Sequence, residues 1–123
     1  MTTRRRVTPT QVRKLALSLP ESVESSHFGQ PDFRVRNRIF ATLRPDGQTV
    51  VLRLSPANVA ALISMDADTF WDEWRGRWLG IRLSRVQLPV LRDLVMDAWR
   101  TVAPKRLAAT LRETTRSRQR SGR

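Results

Sequence analysis

The sequence predicts an α+β domain in which helices pack on one face of an antiparallel sheet. Three observations indicate this fold: a helical apolar period near the N-terminus, a central region with a period of two, and a helical period again near the C-terminus. Runs of strands flanked by helices are typical of α+β proteins. The opposite face of such a sheet is left for solvent or for a binding partner.

The first helix is predicted over residues 9–19. Thr8 is suited to the N-cap, Pro9 to the first helical position, and Gln11 completes a capping box. Apolar side chains then recur at the spacing i, i+3, i+4, i+7, and Pro20 ends the helix.

A meander of strands is predicted between residues 24 and 54. Apolar residues alternate with polar ones on both sides of a turn at Asn37, and Asp46-Gly47 is a typical hairpin turn. One face of this meander is apolar and the other is rich in arginine. The alternation assigns to the apolar face Ile39, Ala41 and Leu43, which alternate with Phe40, Thr42 and Arg44.

The second half of the chain returns to helical patterns around one more strand. Its predicted elements are a helix from Ser55-Pro56, an irregular aromatic and acidic segment over 64–78, a strand over 78–83, a helix from Pro89 to Ala103 and a short helix from Pro104.

Positive charge is concentrated at the two ends of the 123-residue chain. The formal net charge is +12 at pH 7, yet the stretch between the basic ends is nearly neutral. Flexible basic ends attract phosphates without sequence preference, and they serve equally as solubilising tails. We therefore predict a basic tail over residues 1–7, a single domain over 8–112 and a basic, disordered tail over 113–123.

Composition excludes several classes of protein. The absence of cysteine rules out disulfide frameworks, thiol nucleophiles and cysteine-based zinc sites. No apolar run approaches the roughly 20 residues of a membrane span, and the N-terminus lacks the apolar segment of a secretory signal. The expected compartment is the cytoplasm, with no membrane association.

An acidic cluster at residues 66–73 lacks the spacing of a metal site. Its members, which do not form the tight oxygen-ligand loop of a hard cation, are Asp66, Asp68, Asp72 and Glu73. Capping of a short helical turn by Asp66 or Asp68 is the expected role. No metal and no other cofactor is predicted.

Arginines on the polar side of the predicted strands are the candidate binding residues. Those on the strands share a parity that places them on one exposed face, where guanidinium groups can form paired hydrogen bonds with phosphate. An ordinary solvated polar face is the competing interpretation. The predicted nucleic-acid-binding residues are Arg34, Arg36, Arg38, Arg53, Arg75, Arg77, Arg82, Lys105 and Arg106.

The aromatic residues divide into two predicted groups. Trp74 and Trp78 bound a W-R-G-R-W loop and would stack on single-stranded bases if they are exposed. Phe70, Trp71 and Trp99 are expected in the core.

His27 is the only histidine in the sequence and is the residue type best suited to proton transfer near neutral pH. Ser25, Ser26 and Asp32 are close in sequence, but no nucleophile elbow or oxyanion loop surrounds them. A structural corner with local hydrogen bonds is the favoured interpretation, and no catalytic residue is predicted. An enzyme would need His27 and a carboxylate to converge in a cleft.

Three stretches of the sequence resemble the MmcQ/YjbR family of small bacterial proteins. They are LSLPESVESSHFGQPDFRVRNRIFATL, WRGRWLGIRL and LRDLVMDAWRTVAPKRLA, in the family's order, within a resemblance that covers residues 12–108. The resemblance implies a CyaY-like helix–sheet sandwich with a double-wing arrangement of strands, and a DNA-binding function. Similarity of that fold to frataxin raises iron binding, but the first helix carries Arg13 and Lys14 and no acid, so iron is not expected.

The sequence therefore predicts a cytoplasmic, monomeric, non-enzymatic protein that binds nucleic acid. Arginines of the sheet face, the loops and the tails would contact phosphates, which makes binding weak and strongly salt-dependent. The alternative is a module that recognises a protein or a small anionic ligand through the same sheet face. A deep, partly apolar pocket favours this alternative, and a flat basic face favours nucleic acid.

Overall fold

A six-stranded antiparallel sheet carries helices on one face, which confirms the predicted α+β fold. The computed structural model describes residues 6–111, so the predicted C-terminal tail lies outside the described residues. The elements are α1 (Pro9–Leu17), β1 (Ser22–His27), β2 (Gln30–Val35), β3 (Arg38–Leu43), β4 (Thr49–Arg53), α2 (Pro56–Met65), β5 (Phe70–Trp74), β6 (Trp78–Arg82), α3 (Leu88–Val102) and α4 (105–111). The strand order is β1-β2-β3-β4-β6-β5, so β6 lies between β4 and β5.

The start of α1 is the capping box that the sequence predicts. The Thr8 hydroxyl accepts a hydrogen bond from the Gln11 amide at 3.2 Å, and the Gln11 side chain accepts one from the Thr8 amide at 2.9 Å. Val7 precedes this cap, is buried, and donates its amide hydrogen to the Leu83 carbonyl at 3.2 Å. The folded unit therefore includes Val7, which the sequence analysis assigned to the N-terminal tail.

The core lies between the helices and one face of the sheet. α3 packs over β3 and β4 and contacts α1. Trp99 on α3 is fully buried, and its indole N–H donates to the Pro20 carbonyl at 3.0 Å, which fixes α3 to the segment between α1 and β1. None of the helices in residues 6–111 is both long and apolar enough to cross a membrane.

β5 is a strand that the sequence interpretation did not detect. It pairs antiparallel with β6, with Phe70 opposite Ile81 and Trp71 opposite Gly80. The strand lies at the edge of the sheet, and its Asp72 side chain is exposed. Because an edge strand buries only part of its length, the polar and aromatic residues give no regular apolar alternation.

A bulge in β3 moves one apolar side chain to the open face of the sheet. Phe33 pairs with Ala41 and Arg34 pairs with Ile39, so Phe40 is an extra residue. Phe40 and Ala41 are both fully buried in the core, whereas Ile39 lines a pocket on the other face. The predicted alternation, with Ile39 in the core and Phe40 opposite, is therefore wrong here, because one extra residue reverses the side of every residue beyond it.

A second bulge lies in β5. Asp72 pairs with Leu79 and Trp74 pairs with Trp78, which leaves Glu73 as the extra residue. Trp74 consequently lies on the same face as Trp78, together with Glu73. Bulges bend the strand that contains them and increase its local twist.

Candidate ligand pocket on the open sheet face

A pocket of about 230 Å³ lies on the open face, over the central strands β3 and β4. Thr42 and Val51, which pair across these strands, contribute to its floor. The β1–β2 hairpin and the β5–β6 hairpin supply the two walls. The lining residues are His27, Gln30, Ile39, Thr42, Arg44, Val51, Glu73, Trp74 and Trp78.

Asp32 links the wall of the pocket to an arginine of the sheet face. Its side chain is fully buried, and its two carboxylate oxygens accept hydrogen bonds from Arg34 Nε at 2.7 Å and Arg34 Nη2 at 3.0 Å. His27 Nδ1 lies 2.7 Å from the second oxygen. Burial raises the pKa of Asp32, but the hydrogen bonds from Arg34 and His27 outweigh burial, so the pKa is lowered and the carboxylate stays ionised.

The ionised Asp32 carboxylate determines how the His27 ring is protonated. A carboxylate without a proton accepts hydrogen bonds only, so the hydrogen in this contact belongs to His27 Nδ1. Within residues 6–111, His27 Nε2 has no hydrogen-bond partner, and the ring lines the pocket. Nε2 is therefore an acceptor in the neutral ring and a donor in the protonated ring.

A chain of polar side chains crosses one end of the pocket. Glu73 accepts a hydrogen bond from the Trp71 indole at 3.1 Å and forms an ion pair with Arg44 at 2.7 Å. Arg44 also donates to the Gln30 side-chain oxygen at 3.4 Å. These contacts join β2 and β5 through Arg44, which follows β3, and pair the positive charge of Arg44 with the negative charge of Glu73.

Trp71 lies flat against the sheet because residue 80 has no side chain. A Cβ atom at Gly80 would overlap the Trp71 indole ring. The Arg82 guanidinium lies 5.6 Å from the centroid of the indole, and Arg82 Nε donates to the Asp68 carbonyl at 3.0 Å. Trp71 was expected in the core and instead covers the open face, whereas Phe70 and Trp99 are buried as predicted.

Two further tryptophans form the rim of the pocket, and each has an arginine stacked on it. The Arg75 guanidinium lies 4.7 Å from the Trp74 ring centroid, and the Arg53 guanidinium lies 5.4 Å from that of Trp78. The Trp74 side chain is 58% exposed. Trp74 is therefore exposed, as stacking on single-stranded bases requires, whereas Trp78 is half-buried.

The structure brings together only some of the nine residues predicted to bind nucleic acid. Arg34, Arg53 and Arg82 share the open face, as their parity predicts. The Arg34 guanidinium, however, already forms an ion pair with Asp32. Arg36 lies in the turn between β2 and β3 with a φ of 50°, and pairs with Glu21 at 3.1 Å. The others lie at strand starts, in the hairpin after β5 or on α4: Arg38, Arg75, Arg77, Lys105 and Arg106.

Arg36 and Arg106 meet at a separate hollow. This hollow is also lined by Glu21 and Leu107, and is distinct from the pocket between the hairpins. The Arg36 guanidinium lowers the pKa of the exposed Glu21 carboxyl through their hydrogen bonds. A phosphate at this hollow would therefore have to compete with an existing carboxylate.

The arrangement around His27 provides a base and its orienting carboxylate. No hydroxyl group among residues 6–111 forms the hydrogen bond to His27 Nε2 that the nucleophile of a hydrolytic triad makes. No three acidic or histidine side chains converge as metal ligands within the same residues. Asp66 instead accepts hydrogen bonds from the Asp68 amide and the Thr69 hydroxyl, in a capping role.

Comparison with known proteins places the chain in a family. A family model described as YjbR matches residues 17–101, which is more than half of the chain. The chain belongs to the YjbR family. No curated protein matches this YjbR protein.

Two solved structures share the fold of this YjbR protein. A Deinococcus radiodurans protein whose domain is described as DUF419 is 19% identical, with a TM-score of 0.71 over 85% of this chain and 84% of that chain. A Pseudomonas syringae protein is 12% identical, with a TM-score of 0.63 over 79% of this chain and 100% of that chain.

Proposed function

We propose that this YjbR protein is a binding module whose ligand is a small molecule held in the pocket between the two hairpins. The observation that carries the proposal is the division of the pocket into two ends. Ile39, Val51 and the rim tryptophans are apolar, whereas His27, Gln30 and Arg44 are polar. A concave site with apolar walls and a few convergent polar groups is typical of small-molecule sites.

The pairing of charges on the open face favours a small ligand over a long anionic polymer. Arg34, whose side chain is 19% exposed, already holds the Asp32 carboxylate with two hydrogen bonds. Arg44 is paired with Glu73, so two of the cations on this face are already neutralised. A planar apolar body with one polar end fits the pocket, since the body would contact the tryptophans and the polar end would contact His27 and Gln30.

A fragment titration followed through the tryptophan side chains tests the proposal. Small planar aromatic compounds are added to the full chain, and the four indole N–H signals are followed by ¹H–¹⁵N NMR. We expect the signals of Trp74 and Trp78 to shift, while the signal of the fully buried Trp99 stays in place. Shifts that are equal at all tryptophans, or absent at the rim, contradict the proposal.

A pocket-filling variant provides the matched control. Val51→Phe places an aromatic ring in the pocket and should abolish the shifts at the rim tryptophans. Val23→Phe makes the same exchange on β1 at a side chain that is 54% exposed and outside the pocket lining, and should bind as wild type does.

Nucleic acid is the second candidate ligand, supported by the stacked pairs Arg75–Trp74 and Arg53–Trp78. An exposed tryptophan beside a cation is a stacking platform for single-stranded bases, worth about 1–3 kcal/mol per base. Fluorescence titration with oligothymidine at low and high salt tests this candidate. We expect Trp74→Ala to weaken binding and Arg92→Ala, on the exposed side of α3, to leave it unchanged. Equal affinity of both variants rejects the rim as the nucleic-acid site.

A further inference from the structure

At the polar end of the pocket, the side-chain oxygens of Glu73 and Gln30 are engaged, whereas the Gln30 NH₂ group is not. Both Glu73 oxygens are engaged, one by Trp71 and one by Arg44. The Gln30 side-chain oxygen accepts from Arg44, which leaves its NH₂ group without a partner among residues 6–111. A ligand group that faces Gln30 therefore meets a donor and must itself supply an acceptor.

Thr42 adds a further donor on the floor of the pocket. The residue is 7% exposed, and its hydroxyl has no hydrogen-bond partner in the described part of the chain. The Gln30 amide and the Thr42 hydroxyl thus converge on the same cavity as the His27 ring. These groups line the open pocket, where an occupant would complete their hydrogen bonds.

From these contacts we propose that the ligand is a small aromatic carboxylate, and that the protein takes up one proton on His27 when this anion binds. The proposal rests on the pocket being the ligand site. The carboxylate supplies the acceptors that Gln30 and Thr42 lack, and the aromatic body contacts Ile39, Val51 and the rim tryptophans.

The position of Asp32 explains why anion binding requires a proton on His27. Because Asp32 holds the hydrogen on His27 Nδ1, a neutral ring would present the Nε2 lone pair to the anion and repel it. A protonated ring presents a donor and a positive charge. The charged groups around it are Asp32 and Arg34 on β2, Arg44 after β3 and Glu73 on β5, and their charges cancel. Protonated His27 therefore adds one positive charge to a polar end that is otherwise neutral, where it would pair with a monoanion. Arg53 and Arg75 add further positive charge at the rim, where they stack on Trp78 and Trp74.

Proton uptake makes the affinity depend on pH in one direction only. The anion stabilises the protonated ring, so the titration midpoint of the histidine rises when the anion is bound. By linkage, affinity for the anion is highest at low pH and falls as the histidine loses its proton. Above the midpoint of the free protein, the expected decrease is about tenfold per pH unit.

Benzoate and benzamide are the probes, because they have the same shape and differ in charge. Their dissociation constants for the full chain are measured from the indole shifts of Trp74 and Trp78 between about pH 5 and 8. The chain has a single histidine, so its ring C–H signals need no assignment and report its titration directly. We expect benzoate to bind tighter at low pH and to raise the histidine midpoint, and benzamide to do neither.

The outcomes separate this inference from the pocket proposal. If both probes bind with an affinity that does not depend on pH, the inference that anion binding is coupled to proton uptake is wrong, while the proposal that the pocket is the ligand site stands. Absence of shifts with both probes overturns the pocket and the inference with it. His27→Gln, which keeps a donor but does not titrate, should remove the pH dependence of benzoate affinity. Thr42→Val, which removes only the hydroxyl, should weaken benzoate more than benzamide.

Discussion

Asp32 is the residue on which the geometry of the pocket wall depends most. It is one of three buried polar or charged residues among residues 6–111, and its carboxylate holds Arg34 and His27 at the same time. A buried charge is tolerated only where its hydrogen bonds are complete, and here both oxygens are used. The hydrogen bond to Asp32 on β2 therefore fixes the orientation of the His27 ring at the end of β1.

Replacing Asp32 with asparagine tests this dependence. Asp32→Asn leaves Arg34 without its charged partner and should lower the free energy of unfolding by about 2 kcal/mol, measured by urea denaturation at pH 7. Asp93→Asn, at an exposed position of α3, is the matched control and should change stability little. Equal effects of the two substitutions contradict the role assigned to Asp32.

Wild type and Asp32→Asn should also differ in how their stability depends on pH. The pKa of Asp32 is lower in the folded state than its unfolded value of about 3.9, because the hydrogen bonds from Arg34 and His27 outweigh the effect of burial. Its stabilising contribution is complete above that unfolded value and is lost as pH falls through the folded value. The difference between wild type and Asp32→Asn should therefore narrow as the pH is lowered below about 3.9.

The sequence shows His27 and Asp32 but not their contact. The contact requires a hairpin in which His27 pairs with Gln30 and Ser25 pairs with Asp32. Its turn is Phe28-Gly29, with positive φ at both residues, and glycine is the only one of the two that signals such a turn. Without that hairpin, a histidine and an aspartate five residues apart are not recognisable as partners.

At the scale of elements, two bulges decide which side chains reach the pocket. Regular alternation would send Ile39 toward the helices and Trp74 to the same side as Asp72. The extra residues Phe40 and Glu73 change both assignments. A pattern of apolar and polar residues does not reveal a bulge when residues on both sides of it are apolar, so the sequence predicts the strand β3 but not its register.

Alanine substitutions at neighbouring positions of β3 distinguish the two registers. Phe40→Ala removes a fully buried ring from the core and should lower the free energy of unfolding by about 3–5 kcal/mol. Ile39→Ala, at a half-buried position in the pocket, should cost about 1 kcal/mol and weaken fragment binding at the rim tryptophans. Regular alternation predicts the reverse order of stabilities, so denaturation curves of the two variants decide between them.

At the scale of the whole molecule, the sequence predicts the fold better than the site. Helical and period-two patterns, together with the capping box at Thr8, place α1, α3 and the central strands correctly. These patterns report burial on one face, which is the property that the core requires. The pocket depends instead on contacts between distant strands, such as Arg44 with Glu73, and no local pattern encodes them.

The bulge at Phe40 has a consequence for how this surface changes during evolution. Deleting one codon in β3 would restore regular alternation and exchange the sides of Arg38 and Ile39 relative to the residues after the bulge. An insertion in a relative without the bulge would do the opposite. The side chains presented on this face therefore depend on strand length as well as on residue identity, so relatives that keep every pocket residue can still present different surfaces here.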